Sequence, residues 1–137
     1  MSGWTLHPQL AADTHAVASW PLCELLLMDD AQYPWLILVP RVDGARELID
    51  LAPSDRHRLL DEIARASRLL QTLFAPDKLN VAALGNVVPQ LHVHVIARFR
   101  DDPAWPRPVW GVHPPRRHAA EALETMLRRL RAAADAP

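Results

Sequence analysis

The sequence predicts an α+β domain with a mainly antiparallel sheet of five strands and one long helix. Short apolar segments and one helical segment follow one another in the order β-β-β-α-β-β. Strands joined by brief turns are most simply antiparallel, because parallel neighbours need a long crossover connection. The chain also lacks an alternating βαβα rhythm and a Gly-rich phosphate loop, which argues against dinucleotide-binding and Walker-type folds.

Three of the strands lie in the first third of the chain. His15–Trp20 and Leu22–Met28 are apolar segments separated by Pro21, and Trp35–Val39 has the continuous apolar character of a buried strand. The polar residues 29–34 between the last two have the composition of a turn. We therefore expect an antiparallel hairpin here.

The long helix is predicted over Ser54–Phe74. Pro53 suits its first turn, Asp55 complements the helix dipole, and Pro76 ends it. Its apolar residues recur at helical spacing and form one face: Leu59, Ile63, Ala66, Leu70 and Leu73.

Two further strands follow the helix. Leu79–Leu84 is a short strand candidate that ends at Gly85 and Asn86, and Leu91–Phe99 alternates between two faces. The odd-numbered side chains of the last strand are apolar and should point one way. The even-numbered ones, which include His92, should point the other way.

The remaining residues form an arm and a second helix. Five of the thirteen prolines fall between residues 101 and 115, too many for regular structure, so we expect an extended arm carrying Trp105 and Trp110. Arg116–Ala134 reads as an amphipathic helix with five arginines and two glutamates. Nucleic-acid binding is not expected, because the net charge of the chain is −1.

Composition excludes several classes of protein. The 137 residues suffice for one domain, and 50% hydrophobic residues argue against disorder. No apolar segment reaches the ~20 residues of a membrane span, and we expect no membrane partner. A single cysteine, Cys23, excludes an internal disulfide framework and fits a cytoplasmic location.

His92 and His94 are the strongest candidates for chemistry. Residues i and i+2 of a strand share a face about 6.6 Å apart, so both imidazoles can address one small group. One ring could be a nucleophile toward phosphorus and the other a hydrogen-bond donor or acid. Alternatively the pair is half of a metal site, or purely structural. Arg98 and Arg100 are poor neighbours for a dication, and nothing local supports a metal.

The segment Gln90-Leu91-His92-Val93-His94-Val95-Ile96 resembles the histidine triad (HIT) signature His-φ-His-φ-His-φ-φ, where φ is apolar, with glutamine in the first position. The upstream hairpin Leu22–Pro40, the long helix and the strand at Leu79 also follow in the family's order. Residues 5–105 are therefore similar to a complete HIT domain, and residues 106–137 form a Pro/Trp-rich arm and C-terminal helix.

The resemblance implies a nucleotide hydrolase or nucleotidyl transferase that needs no cofactor. His92 matches the nucleophile that attacks the α-phosphorus of a dinucleoside polyphosphate or phosphoramidate, and a backbone carbonyl should fix its tautomer. His94 matches the residue that binds the phosphate and assists the leaving group. The Gly85-Asn86 turn could supply phosphate contacts. Asp29 matches the ribose-binding acid, although it could equally cap a turn.

Two departures from the family pattern bear on catalysis. Gln90, at the first catalytic position, cannot titrate, and Trp35 stands where many members carry an upstream histidine and could wall the nucleotide pocket. A nucleotide-binding protein with weak or no catalysis, and a metal-dependent enzyme using His92 and His94 as ligands, therefore remain as alternatives. The family also implies a homodimer, and an uncovered sheet edge gives a physical reason for association.

Overall fold

Five antiparallel strands form a single sheet in the computed structural model, which describes residues 3–135. The strands are β1 (Thr14–Ser19), β2 (Cys23–Met28), β3 (Trp35–Pro40), β4 (Lys78–Ala82) and β5 (Val93–Arg98). Their spatial order is β1-β2-β3-β5-β4. The helices are α1 (Pro8–Asp13), α2 (Pro53–Phe74) and α3 (Ala120–Ala134), with a 3₁₀ turn at Leu48–Asp50. No helix in this range is long and apolar enough to cross a membrane.

The predicted α+β class, the five strands and the long helix are confirmed. The sequence did not reveal α1, which begins at Pro8 and is capped by the His7 ring. The C-terminal helix begins at Ala120 rather than Arg116. The reason is that the backbone N–H groups of Arg116 and His118 donate to aspartate side chains near residue 30 instead of starting a helix.

The alternation along β5 separates two apolar layers. Val93, Val95 and Ala97 face the larger core, which contains the buried faces of α2 and α3. Ile96 belongs to the second layer, on the histidine face, which is built with the arm and the N-terminal segment. Both faces of the strand are therefore covered, and every residue of β5 is buried.

A buried ion pair holds the start of the arm. Arg98 is 1% exposed. Its guanidinium donates to both carboxylate oxygens of Asp102 at 2.8 and 3.0 Å, and to the Asn80 side chain at 2.8 Å. Asp102 also accepts the backbone N–H groups of Phe99, Ala104 and Trp105. These bonds turn the chain back over the sheet, where Val109 and Trp110 pack into the second apolar layer.

We expect Asp102→Asn to lower the free energy of unfolding by roughly 3 kcal/mol, because it leaves the buried Arg98 charge without its counter-ion. Urea unfolding measures this loss. The matched control is Glu124→Gln, which removes the acid from an exposed pair with Arg128 and should change stability by less than about 0.5 kcal/mol. Equal losses in the two variants would show that the buried pair does not anchor the arm.

Candidate active site

The His92 imidazole is held in one tautomer by the backbone. This residue lies directly before β5 and is 7% exposed. Its Nδ1 is 2.7 Å from the carbonyl oxygen of Gln90, which can only accept a hydrogen bond, so Nδ1 carries the proton. In the neutral ring, Nε2 then bears the lone pair. This is the arrangement expected from the sequence for a nucleophilic histidine.

The His94 imidazole is held in the opposite tautomer. Its Nδ1 lies 3.0 Å from the indole Nε1 of Trp35, which is a donor only, so Nδ1 must accept and Nε2 carries the proton. Burial, and then the neighbouring His92, lower the pKa of His94 from 6.5 to about 3. His94 is therefore a neutral imidazole that presents an N–H at Nε2.

The two rings together offer a lone pair and a donor. Their centroids are 4.9 Å apart with 70° between the ring planes. Within residues 3–135, no hydrogen bond engages Nε2 of His92 or of His94. The pair can therefore attack an electrophilic centre with one nitrogen and hydrogen-bond an attached oxygen with the other.

Trp110 of the same chain packs on His94 and Trp35. Its ring centroid is 5.0 Å from that of His94 and 5.7 Å from that of Trp35, with steep edge-to-face angles. Trp35 in turn packs on Tyr33 at 6.3 Å. The arm thus reaches the histidine face of its own sheet. Trp105 lies near the start of the arm, with its ring centroid 5.7 Å from the Arg98 guanidinium.

A cavity of about 410 Å³ adjoins His92. Gly85 lines it together with Arg46 and the exposed apolar residues Ile49 and Leu84. Gly85 has φ +75°, a conformation that favours glycine. Neither His94 nor Trp35 lines this cavity, so His92 is the reactive ring it meets. The sequence pattern did not predict Arg46 or Ile49 as site residues. For Ile49 the only available signal is that it forms an apolar pair with Leu48 in the segment after Pro40.

The Gln90 side chain is hydrogen-bonded to the N-terminal segment, although Gln90 also lines the cavity with His92. Its Oε1 accepts the backbone N–H of His7 at 2.8 Å, and its Nε2 donates to the carbonyl of Thr5 at 2.9 Å. Gln90 therefore ties the N-terminal segment to the site, while its own carbonyl orients His92. No local pattern in the sequence indicated this contact.

Asp29 is occupied by other groups. Its oxygens accept from the His118 backbone at 2.9 Å, the Arg117 guanidinium at 2.9 Å and the His15 ring at 3.1 Å. Burial opposes ionisation of Asp29, but these hydrogen bonds prevail and lower its pKa below the ordinary value. Asp29 does not line the cavity beside His92, and neither does the exposed Asn86.

A metal centre of protein ligands does not assemble in the described part of the chain. No group of three histidine, cysteine, aspartate or glutamate side chains there comes close enough to hold an ion. Cys23 is buried as a free thiol, and burial raises its pKa. The histidine pair therefore stands without a third ligand among residues 3–135.

Comparison with known proteins decides the family. The family model described as the HIT domain matches residues 9–101. The chain belongs to the HIT family. Comparison with curated protein sequences gave no significant match. Residues 102–135 of this HIT protein, which carry Trp110 and α3, extend beyond the matched region.

Solved structures of histidine triad proteins resemble this HIT chain over almost its whole length. The protein from Bradyrhizobium japonicum is 50% identical, with 95% of this chain and 97% of that chain covered and a TM-score of 0.92. The Marinobacter aquaeolei VT8 protein is 48% identical, with 96% of each chain covered and a TM-score of 0.93. The Sinorhizobium meliloti 1021 protein is 38% identical, with 96% and 97% covered and a TM-score of 0.92. The similarity therefore includes the arm and α3.

We expect acid to destabilise the folded protein through His94. Its pKa is about 3 when folded and returns toward 6.5 on unfolding, so between these values the unfolded chain binds more protons. The stability from neutral His94 is complete above the unfolded pKa and is lost as the pH falls toward the folded one. Urea unfolding should show a loss of ~2 kcal/mol between about pH 6.5 and about pH 5. His94→Gln should flatten this slope, and an unchanged slope would contradict a buried neutral imidazole.

Proposed function

We propose that this HIT protein is a cytoplasmic nucleotide hydrolase or nucleotidyl transferase that acts at the α-phosphate of a nucleoside phosphate derivative, with His92 as the nucleophile. The observation that carries the proposal is the Nδ1–H bond of His92 to the Gln90 carbonyl, which leaves the Nε2 lone pair beside an accessible cavity. Family membership supports it.

The chemistry needs two displacements at phosphorus. In the first, the His92 Nε2 lone pair forms a bond to the α-phosphorus while the bond to the leaving group breaks and its electron pair departs with that group. The Gln90 carbonyl stabilises the positive charge that develops on the imidazole. In the second, an oxygen of water or another acceptor bonds to phosphorus, the P–N bond breaks with its electron pair returning to His92 Nε2, and the acceptor releases its proton to solvent. His92 regains its lone pair.

Two other groups would assist these steps. The Nε2–H of His94 donates to a phosphoryl oxygen, which gains charge in each displacement. The turn at Gly85 lies on the same cavity as His92 and can bring backbone N–H groups to the phosphate. For Asp29 to bind a ribose, Arg117 and His118 must first release its oxygens.

A nucleotide-binding protein with little catalysis is the second candidate function. The observation that favours it is the Trp35 indole at His94, because this pair has no group that titrates near neutral pH. Such a protein would bind the same nucleotides and release them unchanged.

His92→Ala should abolish turnover of a dinucleoside polyphosphate labelled at the α-phosphate, with a fall of at least about 1,000-fold because the nucleophile is lost. Wild type should also retain label after denaturation at neutral pH, and the variant should not. The control is His57→Ala, which removes an exposed histidine from α2 and should leave both results unchanged.

If wild type shows neither turnover nor a labelled adduct, the enzyme proposal is wrong. Binding of the unreacted nucleotide would then favour the second candidate. Loss of activity in chelator, together with stoichiometric metal in the purified protein, would favour the metal-dependent alternative.

We also propose that the protein forms a homodimer through the edge of the sheet at β4. The order of the strands leaves one side of β4 unpaired in this chain. Val81 on β4 and Leu84 just after it are exposed apolar side chains at this edge. Burying them against a second copy would satisfy both the strand edge and the apolar surface.

Light scattering should therefore give about twice the monomer mass of 15.4 kDa. Val81→Glu should shift the protein toward monomer at micromolar concentration, because it puts two like charges into the paired edge. Ala16→Glu, on the opposite edge strand β1, is the matched control and should not change the mass. A monomeric wild type would contradict the dimer.

A further inference from the structure

The side chain that hydrogen-bonds Nδ1 of His94 is the indole of Trp35, which is not a titratable group. The indole N–H donates to His94 Nδ1, with 3.0 Å between the two nitrogens. Tryptophan neither accepts nor releases a proton at neutral pH. We propose that Trp35 is a positioning residue that keeps His94 a neutral Nε2–H donor, and that the site is thereby selective for nucleoside phosphoanhydrides over phosphoramidates. This inference rests on the function proposed above.

Among residues 3–135, the side chains packed on His94 offer it no proton. The ring is 4% exposed and packed between Trp35 and Trp110, with centroids 5.6 and 5.0 Å away. Its neighbours across the sheet, Ile37 on β3 and Ala82 on β4, are apolar.

The charged and titratable groups around this ring are few. His92 is the titratable neighbour whose charge acts on His94, and it disfavours protonation. Further along the same face of β5, the Arg98 guanidinium is committed to Asp102. Burial, and then the charge of His92, lower the pKa of His94 to about 3, so the imidazolium form is scarce at neutral pH.

The leaving groups of the two substrate classes differ in their need for a proton. When an anhydride P–O bond breaks, the departing phosphate takes the electron pair. Its conjugate acid has a pKa of about 6, so it leaves as an anion near pH 7. When a phosphoramidate P–N bond breaks, the nitrogen must gain a proton as it leaves, because an amine anion is far too basic.

The site can supply a hydrogen bond to either leaving group but a proton to neither. His92 is consumed as the nucleophile, and His94 already holds its one proton as a neutral imidazole. General acid catalysis is typically worth about 100- to 10,000-fold, so the phosphoramidate loses at least that factor while the anhydride loses little.

The first test reads the tautomer without using activity. In protein labelled with ¹⁵N-histidine, long-range ¹H–¹⁵N spectra should show His94 protonated only at Nε2 through the neutral pH range. Trp35→Phe keeps an aromatic ring but removes the N–H, so a mixture of tautomers should appear. Trp110→Phe also alters a ring that contacts His94, but it removes no hydrogen bond to Nδ1 and should leave the spectrum unchanged.

The second test compares kcat/KM for diadenosine polyphosphate and for an adenosine 5′-phosphoramidate of a primary alkylamine. The phosphoramidate value should be lower by at least about 100-fold in wild type. In Trp35→His, an imidazole that can carry a proton faces His94. The ratio of kcat/KM for the anhydride to kcat/KM for the phosphoramidate should therefore fall by at least about tenfold.

Equal kcat/KM values in wild type, an unchanged ratio in Trp35→His, or an Nδ1-protonated His94 would each overturn the inference. Absence of turnover with both substrates, without an adduct on His92, would instead overturn the proposed function and the selectivity that rests on it. The nitrogen spectrum would still decide the role of Trp35 in fixing the tautomer.

Discussion

The buried pair between Arg98 and Asp102 organises the histidine face of this HIT protein. A guanidinium that is 1% exposed can persist only with a counter-ion and filled hydrogen bonds, and Asp102 provides both. Because Asp102 also binds three backbone N–H groups, the same carboxylate sets the path by which the arm leaves β5. The arm then lays Trp110 on His94. The ion pair at the end of β5 therefore helps to place the ring that packs on His94.

Burial and hydrogen bonding affect the two histidines in different ways. His92 donates its Nδ1–H to the Gln90 carbonyl and lines the cavity, so Nε2 carries the lone pair of the neutral ring. His94 lies under Trp110 and accepts from Trp35, so it holds its proton on the other nitrogen and resists a second. His92, directly before β5, and His94, within it, thus acquire opposite tautomers from the groups that their Nδ1 atoms contact.

Short-range patterns in the sequence were enough for the fold and for locating the histidines. The two-residue alternation of apolar residues predicted that His92 and His94 share one face of the sheet. The helical spacing predicted a start of α2 at Ser54, one residue after the observed start at Pro53. The contacts of the site were not readable, because they join distant parts of the chain. Gln90 binds residues 83 and 85 positions away. Asp29 binds Arg117 and His118, which lie 88 and 89 positions away along the chain. A local hydrophobic period carries no information about such long-range contacts.

The arm is fastened at both ends, and this limits how a nucleotide reaches His92. At one end Asp102 is bound to Arg98, and at the other Asp29 binds Arg117 and the backbone of His118. Both attachments use a buried carboxylate with several donors, so opening either end would leave a buried charge without its partners. The cavity beside Gly85 carries no such closure. In the proposed reaction, a phosphate that enters there would meet the His92 ring, and Arg46, Ile49 and Leu84 would line the space around the rest of the substrate.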